Sequence, residues 1–507
     1  MNQKQLLFWN TCTSLIFQIT TIICGFILPR VILKAYGSDV NGLVNSIAQF
    51  LSLIGFLDLG VGAVVQSSLY KPLATKDFDL INQIVTSAGL FFRRIGQILA
   101  VYVIVLIIIY PSVLNREFDF LFTGTLIAAI SISYFAQYYF GVVDRLFLVA
   151  DQHGYIQYNI QTITLVLNTM LCFLLIHFNA SIQTVKLGSS LVYLIRPIYL
   201  RSYINSHYSI TRNIKYKEEP IKQKWNGVAQ HIAAVVLDQT DVIVLTAFAT
   251  LKDVSIYAVY YMVVNGVKQL FMSMTNGIQA LLGEYWAKEE RDKLQQFFNK
   301  VEWIIHNGVV VIFGSTLILI VSFIRVYTEG VTDANYIQPL FGVLLTLANA
   351  CHCLRLPYNI MILASGHYKQ TQKNYIIAAV VNLTISIAMV FKFGLIGVAI
   401  GTLAAMLYQT IWMAYYDSKH LVHRSVMIFW KQFYVDVISI VVACQLTKSI
   451  NMEVHNYISW VILAVKIFVI VVFVDLSINY IFYRRFVEET VKSVFTIFKK
   501  LIRKVSR

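Results

Sequence analysis

The residues of this chain that could do chemistry are acids, cations and amides placed inside apolar runs. The run AQHIAAVVLDQTDVIVLTAF carries Gln230, His231, Asp238, Gln239 and Asp241. Asp238 and Asp241 are i, i+3 neighbours with His231 two turns earlier, so these groups can line one helix face. Two close carboxylates in low dielectric force one pKa up, and a proton or a sodium ion could be shared there; the alternative is a structural cap or pair at Asp241. The next apolar run holds Asn265, Lys268, Gln269, Ser273 and Asn276. Lys268 lies too deep to snorkel, so it either pairs with an acid such as Asp238 or Asp58 or meets an anionic ligand. Arg355, in ACHCLRLPYNIMI, is a second cation of this kind, beside a predicted kink at Pro357.

The N-terminal part adds a polar stripe and one acid. Asn41, Asn45 and Gln49 are spaced i, i+4, i+8 and share a helix face. Asp58 follows within the apolar body, where insertion of a carboxylate costs about 3 kcal/mol, so it is expected to face a bundle interior or a watery cavity. Arg30 and Lys34 follow Pro29 at a span end, where snorkelling and ligand contact are both open readings. Asp144 and Arg145 read as a local pair or a gate contact. Glu284 and Arg325, near span ends, read as anchors.

The elements that position these residues are transmembrane helices. The 507 residues are 58% hydrophobic and only 13% charged, with a mean hydropathy of +0.66, far from soluble-domain usage. Fourteen spans are expected, at about 9–33, 40–66, 90–112, 120–143, 156–178, 182–204, 226–250, 254–282, 302–325, 337–362, 375–393, 395–416, 428–447 and 458–482. An all-α polytopic fold follows. The net charge of +15 is dispersed in short clusters between spans, such as Arg93 and Arg94, and around Lys215 to Lys224. That is the positive-inside pattern rather than a nucleic-acid face, and it places both termini in the cytoplasm. The tail FVEETVKSVFTIFKKLIRKVSR has apolar residues at helical spacing, for a solvated helix or one lying on anionic lipid.

An internal repeat organises the spans. An offset of 214 residues carries the Ala150 to Gly154 loop onto Ala364 to Tyr368, and Asn168 onto Asn382. Spans one to six thus match spans seven to twelve, and an even number per copy relates the halves by an axis along the membrane normal. The expected division is a six-helix bundle over 1–210, a cytoplasmic linker over 211–225, a second bundle over 226–420, an extra helix pair over 428–482 and a basic tail over 483–507.

Other chemistry lacks support in the residues. No phosphate-cradling GxxxxGK[ST] loop is present, and the longest loop, about Ser206 to Trp225, is too short for a catalytic domain. Cys351-His352-Cys353 has one spacer and lies in a span, which reads as core rather than as metal ligands; no disulfide is expected. The N-terminus leads into an apolar segment longer than a signal h-region, so the first span is expected to stay.

Pro29 and Arg30, the Tyr36-Gly37 junction and Leu57-Asp58-Leu59-Gly60 together resemble the N-terminal region of the bacterial Wzx-type polysaccharide flippases. These belong to the MOP superfamily with the MATE exporters and the lipid II flippase. The resemblance implies two six-helix bundles around a central cleft, with the extra helix pair in a lipid-facing groove. It implies an undecaprenyl-diphosphate-linked oligosaccharide as substrate, a location in the bacterial cytoplasmic membrane, glycosyltransferases and a polymerase as partners, and no cofactor. Arg30, Lys268 and Arg355 would balance the diphosphate, and Asn45, Gln49 and Gln269 would bind sugar hydroxyls. Asp58, Asp238 and Asp241 would bind a coupling ion or neutralise the cations. A MATE-like drug exporter, a lipid II flippase and an integral-membrane glycosyltransferase or polymerase are the competing readings.

Overall fold

The computed structural model describes residues 3–55, 61–114, 117–221, 228–450 and 454–505. Among them every regular element is helical, and ten helices are long and apolar enough to cross a bilayer. Their outer faces are greasy: Leu121 is 74% exposed, Phe391 70% and Ile458 75%. Surface of that kind is sticky in water but matches lipid tails. The chain is an all-α, multi-pass membrane protein.

Ten is fewer than the fourteen expected, for reasons of composition and chain path. The stretch Phe8–Ser52 counts once, yet its 45 residues would span roughly 68 Å as a straight helix, about twice a bilayer core. The helices Ile182–His207 and Leu251–Ala287 are long enough but polar, carrying Arg196, Arg201, Lys268 and Glu284, and of the helix Val228–Phe248 only Gln239–Phe248 counts as a shorter apolar helix.

The chain forms two compact units, Met1–Ala258 with Gly330–Ala334, and Val259–Glu329 with Asn335–Arg507. The first contains α1 (Gln3–Ser52), α2 (Val61–Thr75), α3 (Phe78–Ile109), α4 (Phe120–Ala136), α5 (Val142–Ala150), α6 (Gly154–His177), α7 (Ile182–His207) and α8 (Val228–Phe248). The first turns of α9 (Leu251–Ala287) belong to it as well. Its core gathers Leu43, Ile47, Leu51, Val65, Phe92 and Phe147. Inside α1, Gly37 takes φ 80°, ψ 178°, a conformation open only to glycine, which splits the helix into the two spans that the sequence separates. The break frees the Ser38 N–H, which donates to Asp333 Oδ2 at 2.6 Å, while Ser38 Oγ donates to Oδ1 at 2.7 Å. Asp333 thereby caps the second half of α1.

The second unit contains the rest of α9, then α10 (Arg291–Tyr327), α11 (Pro339–Leu354), α12 (Leu356–Ser365), α13 (Tyr368–Phe393), α14 (Leu395–His420), α15 (Met427–Thr447) and α16 (Tyr457–Val505). Pro357 sits in the first turn of α12 and Arg355 at the junction with α11, since proline cannot donate the next bond of the ladder. α13 and α14 pack closely because Gly401 has no side chain: a Cβ there would overlap Ser386 and the Asn382 carbonyl. The helix pair α15 and α16 packs on α10 through Leu319, Ala443, Ile467 and Val471. α16 kinks at Tyr483.

The 214-residue offset recurs in three dimensions within each unit. α6 begins at Gly154 and α13 at Tyr368, and Asn168 and Asn382 are both buried in them. Cys172 Sγ donates to Asn168 Oδ1 at 3.5 Å, and Ser386, its counterpart, donates to Asn382 Oδ1 at 3.0 Å.

Candidate functional site

In the first unit the amide stripe of α1 is spent on helix packing. Asn41 Nδ2 donates to Ser255 Oγ at 2.7 Å, and Asn45 Nδ2 donates back to the Asn41 carbonyl at 2.8 Å. Gln49 Nε2 reaches the Gln239 carbonyl at 3.3 Å, and Ser52 Oγ donates to Gln239 Oε1 at 2.9 Å. One turn earlier Ser46 and Thr246 share a hydroxyl bond of 2.7 Å, with Tyr110 donating to Ser46 at 2.6 Å. The polar face of α8 therefore meets the polar face of α1, because neither could be left against lipid. Asp241 is 4% exposed and accepts from Tyr257 Oη at 2.9 Å. Asp58 and the side chains of Gln230, His231, Asp238 and Asn276 lie outside the described residues. Arg30 is half-buried in the first half of α1.

In the second unit the helix break brings cations together. Lys268 of α9, His352 of α11 and Arg355 at the junction are all buried, with 6–7% of each exposed. Lys268 and Arg355 each lie within electrostatic range of the His352 ring. Arg355 Nη2 is 3.1 Å from His352 Nδ1 and Nη1 is 3.9 Å from Met406 Sδ; Lys268 Nζ is 3.4 Å from Tyr261 Oη and 5.6 Å from that ring's centre. These named contacts are neutral or softly polarisable. Gln269, one residue on from Lys268 and so about 100° round the helix, is exposed and does not join them. Cys351 and Cys353 are buried, and no group of three or more His, Cys, Asp or Glu side chains among the described residues could hold a metal ion.

The expected pairing of Asp144 with Arg145 is replaced by another. Asp144 is buried in α5, where Arg201 Nε of α7 and Arg212 Nη2 of the following loop donate to its two oxygens, each at 2.7 Å. Arg145, the next residue, points about 100° away along the helix and lines a cavity instead. Near this clamp Tyr208 donates to Asp151 Oδ2 at 2.5 Å, and His153 Nδ1 is 3.0 Å from the same oxygen. The hydrogen bond to Asp151 raises the His153 pKa above its ordinary value, against the opposing pull of burial.

Sequence reasoning missed a buried ionic group in the second unit. Arg424 holds both carboxylate oxygens of Glu302, with Tyr358 Oη donating to Glu302 at 2.5 Å and Arg424 Nη1 donating to Asn299 at 2.6 Å. His306 Nδ1 meets Asp436 Oδ2 at 2.5 Å, and Gln432 donates to Oδ1 at 3.0 Å. Asp475 on α16 accepts from Asn479 at 3.1 Å, and Asn479 in turn accepts from Trp303 Nε1 at 3.1 Å. The signal that could have found them was the one used for Asp58: Asp436 and Asp475 are acids within predicted spans.

This helical fold is similar to that of solved transporters, a MOP superfamily member among them. With 14% identity over 93% of this chain and 99% of the other, it is similar to the lipid II flippase MurJ in its inward closed conformation, at a TM-score of 0.69. It is also similar to an inward-facing multidrug resistance MATE family transporter of the MOP superfamily, with 11% identity, a TM-score of 0.60, and 79% and 95% of the two chains covered. A Pyrococcus furiosus MOP superfamily transporter, described as having a binding pocket of reverse polarity, matches with 10% identity, a TM-score of 0.53, and 83% and 95% coverage. No protein-family profile matches the sequence, and neither does any curated protein.

Proposed function

We propose that this chain is a carrier that flips an undecaprenyl-diphosphate-linked oligosaccharide repeat unit from the cytoplasmic to the outer leaflet of the bacterial cytoplasmic membrane, supplying surface polysaccharide assembly. The observation that carries this reading is the buried set Lys268, His352 and Arg355 at a broken transmembrane helix. Two permanent cations there favour a diphosphate and disfavour the cationic cargo of a multidrug exporter. The lipid tail stays in the bilayer while the polar head crosses, and alternating access moves it. Both termini are cytoplasmic in this reading, and the partners are the glycosyltransferases and polymerase that make and use the substrate. A lipid II flippase is the second reading, favoured by the TM-score of 0.69; its substrate is also a lipid diphosphate.

Coupling is assigned to Asp238 and Asp241, as a site for a proton or sodium ion. Transport at the wild-type rate in the Asp238→Asn, Asp241→Asn double variant would refute that assignment. The substrate is tested by deleting the gene in its native host and analysing lipid-linked intermediates and surface glycan. Undecaprenyl-linked repeat units accumulating while surface polysaccharide disappears support the first reading. Accumulated lipid II supports the second, and unchanged glycan with increased sensitivity to cationic dyes overturns both.

A further inference from the structure

A partly open cavity of about 350 Å³ lies within the first unit, lined by α4, α5, α6, α7 and the π-helical turn Gln137–Gly141. That volume falls in the usual range for ligand pockets, and π-turns recur at functional sites. Its polar lining is basic and amide-rich: Arg145, Arg196, Gln137, Gln157 and Gln161, with Tyr134 and Tyr193 beside them. No acidic side chain lines it among the described residues.

The two arginines are held differently. Arg196 is fixed by neutral contacts: Nε donates to Thr164 Oγ1 at 2.7 Å, Nη2 reaches the Gln161 carbonyl at 3.4 Å, and the guanidinium lies 4.2 Å from the centre of the Tyr193 ring. The Thr164 hydroxyl donates its own proton to the Ile160 carbonyl at 2.7 Å, so it receives Arg196 as an acceptor. The charge of Arg196 is thus oriented without being neutralised. Arg145 has no hydrogen-bond or ion-pair partner among the described residues, and the adjacent Asp144 is already held by Arg201 and Arg212. Gln157 is 7% exposed, and its Oε1 is buried with no hydrogen-bond partner. An orphaned acceptor of that kind costs about 1–3 kcal/mol unless a donor arrives.

We infer that this cavity binds a phosphate ester carried on a hydroxyl-bearing headgroup, with Arg145 and Arg196 on the phosphate oxygens and Gln157 accepting from a headgroup hydroxyl. Guanidinium groups suit phosphate oxygens through paired N–H donors. The apolar outer faces around the cavity, such as Ile163 and Ile198, are exposed, which favours a lipid headgroup over a soluble phosphate. This site is separate from Lys268 and Arg355 and does not depend on the transport reading.

The test uses the purified full-length chain in maltoside detergent, probed with phosphatidylglycerol and, separately, with inorganic phosphate. Native mass spectrometry counts retained lipid, and a thermal-shift titration follows each probe. Arg145→Gln removes a side chain that supports no other group, so it is the informative variant if Arg196→Gln does not fold. Retention of phosphatidylglycerol that drops roughly tenfold or more in Arg145→Gln supports the site and a lipid source. A comparable drop for inorganic phosphate alone supports the site with a soluble source. Gln157→Leu should weaken phosphatidylglycerol several-fold and leave inorganic phosphate unchanged. Undiminished binding of both probes in Arg145→Gln, or binding of neither by the wild type, overturns the inference.

Discussion

Arg424 grips both carboxylate oxygens of Glu302 in a buried site of the second unit, tying the segment after α14 to the first turns of α10 across 122 residues of sequence. Tyr358 and Asn299 complete the shell, and the Phe298 ring lies 4.8 Å from the guanidinium carbon. The pair is therefore desolvated: both carboxylate oxygens are bonded, while Arg424 Nε is buried with no hydrogen-bond partner among the described residues.

Removing one partner leaves the other charge buried and alone. Glu302→Gln or Arg424→Met should each destabilise the protein by about 3–5 kcal/mol, and the Glu302→Leu, Arg424→Met double variant should recover much of that loss. Thermal unfolding followed in detergent checks this; equal damage in the single and double variants would count against the pair as described.

Gly37 is the hinge on which α1 turns. Gly37→Ala forces a side chain to φ 80° and brings a Cβ to 2.9 Å from Asp333 Oδ2, which should cost about 1–3 kcal/mol. Asp333→Ala should be milder, at about 1 kcal/mol, since it removes a cap without straining the backbone. Unfolding midpoints of the two variants give the order directly.

The clasp of Asp151, His153 and Tyr208 is a source of pH dependence outside the spans. Because the His153 pKa is raised in the folded protein, its stabilising contribution is complete below the ordinary histidine value of 6.5. It fades as pH climbs through the higher folded-state value. Hydrogen-exchange protection factors at residues 153–156, corrected for the intrinsic rise of exchange with pH, should fall over that interval in the wild type, and His153→Ala should flatten that profile.

The cation set makes the sharpest functional prediction. Lys268→Ala and Arg355→Ala should each lower transport of a lipid diphosphate by roughly tenfold or more, while conservative Lys268→Arg should retain a larger share. Complementation of the deletion strain reads this out, provided membrane levels of the variants match the wild type. Full complementation by both alanine variants would remove the main support for the proposed substrate.

Much of the fold was legible because a bilayer imposes its rules one segment at a time. Unbroken apolar runs of about 20 residues read as helices, since the alternative that satisfies the backbone in lipid, a closed β-barrel, uses strands of about 10 residues with alternating polarity. The repeat was visible too, as Asn168 and Asn382 follow equivalent loops. The site was less legible. Periodicity put Asn41, Asn45 and Gln49 on one face and marked Asp241 as an acid inside a span, but periodicity says nothing of what that face meets.

The sequence by itself determined a helical membrane chain, the separation of the two spans on either side of Gly37 and the repeat, because those depend on local composition and spacing. Only the tertiary structure decided how the charged side chains are partnered. Asp144 is clamped by Arg201 and Arg212 rather than by Arg145, since successive side chains diverge by about 100° on a helix. Glu302 finds Arg424 and His306 finds Asp436, pairings set by which helices pack together. Arg145 is thereby left facing the cavity, with no ion-pair partner among the described residues.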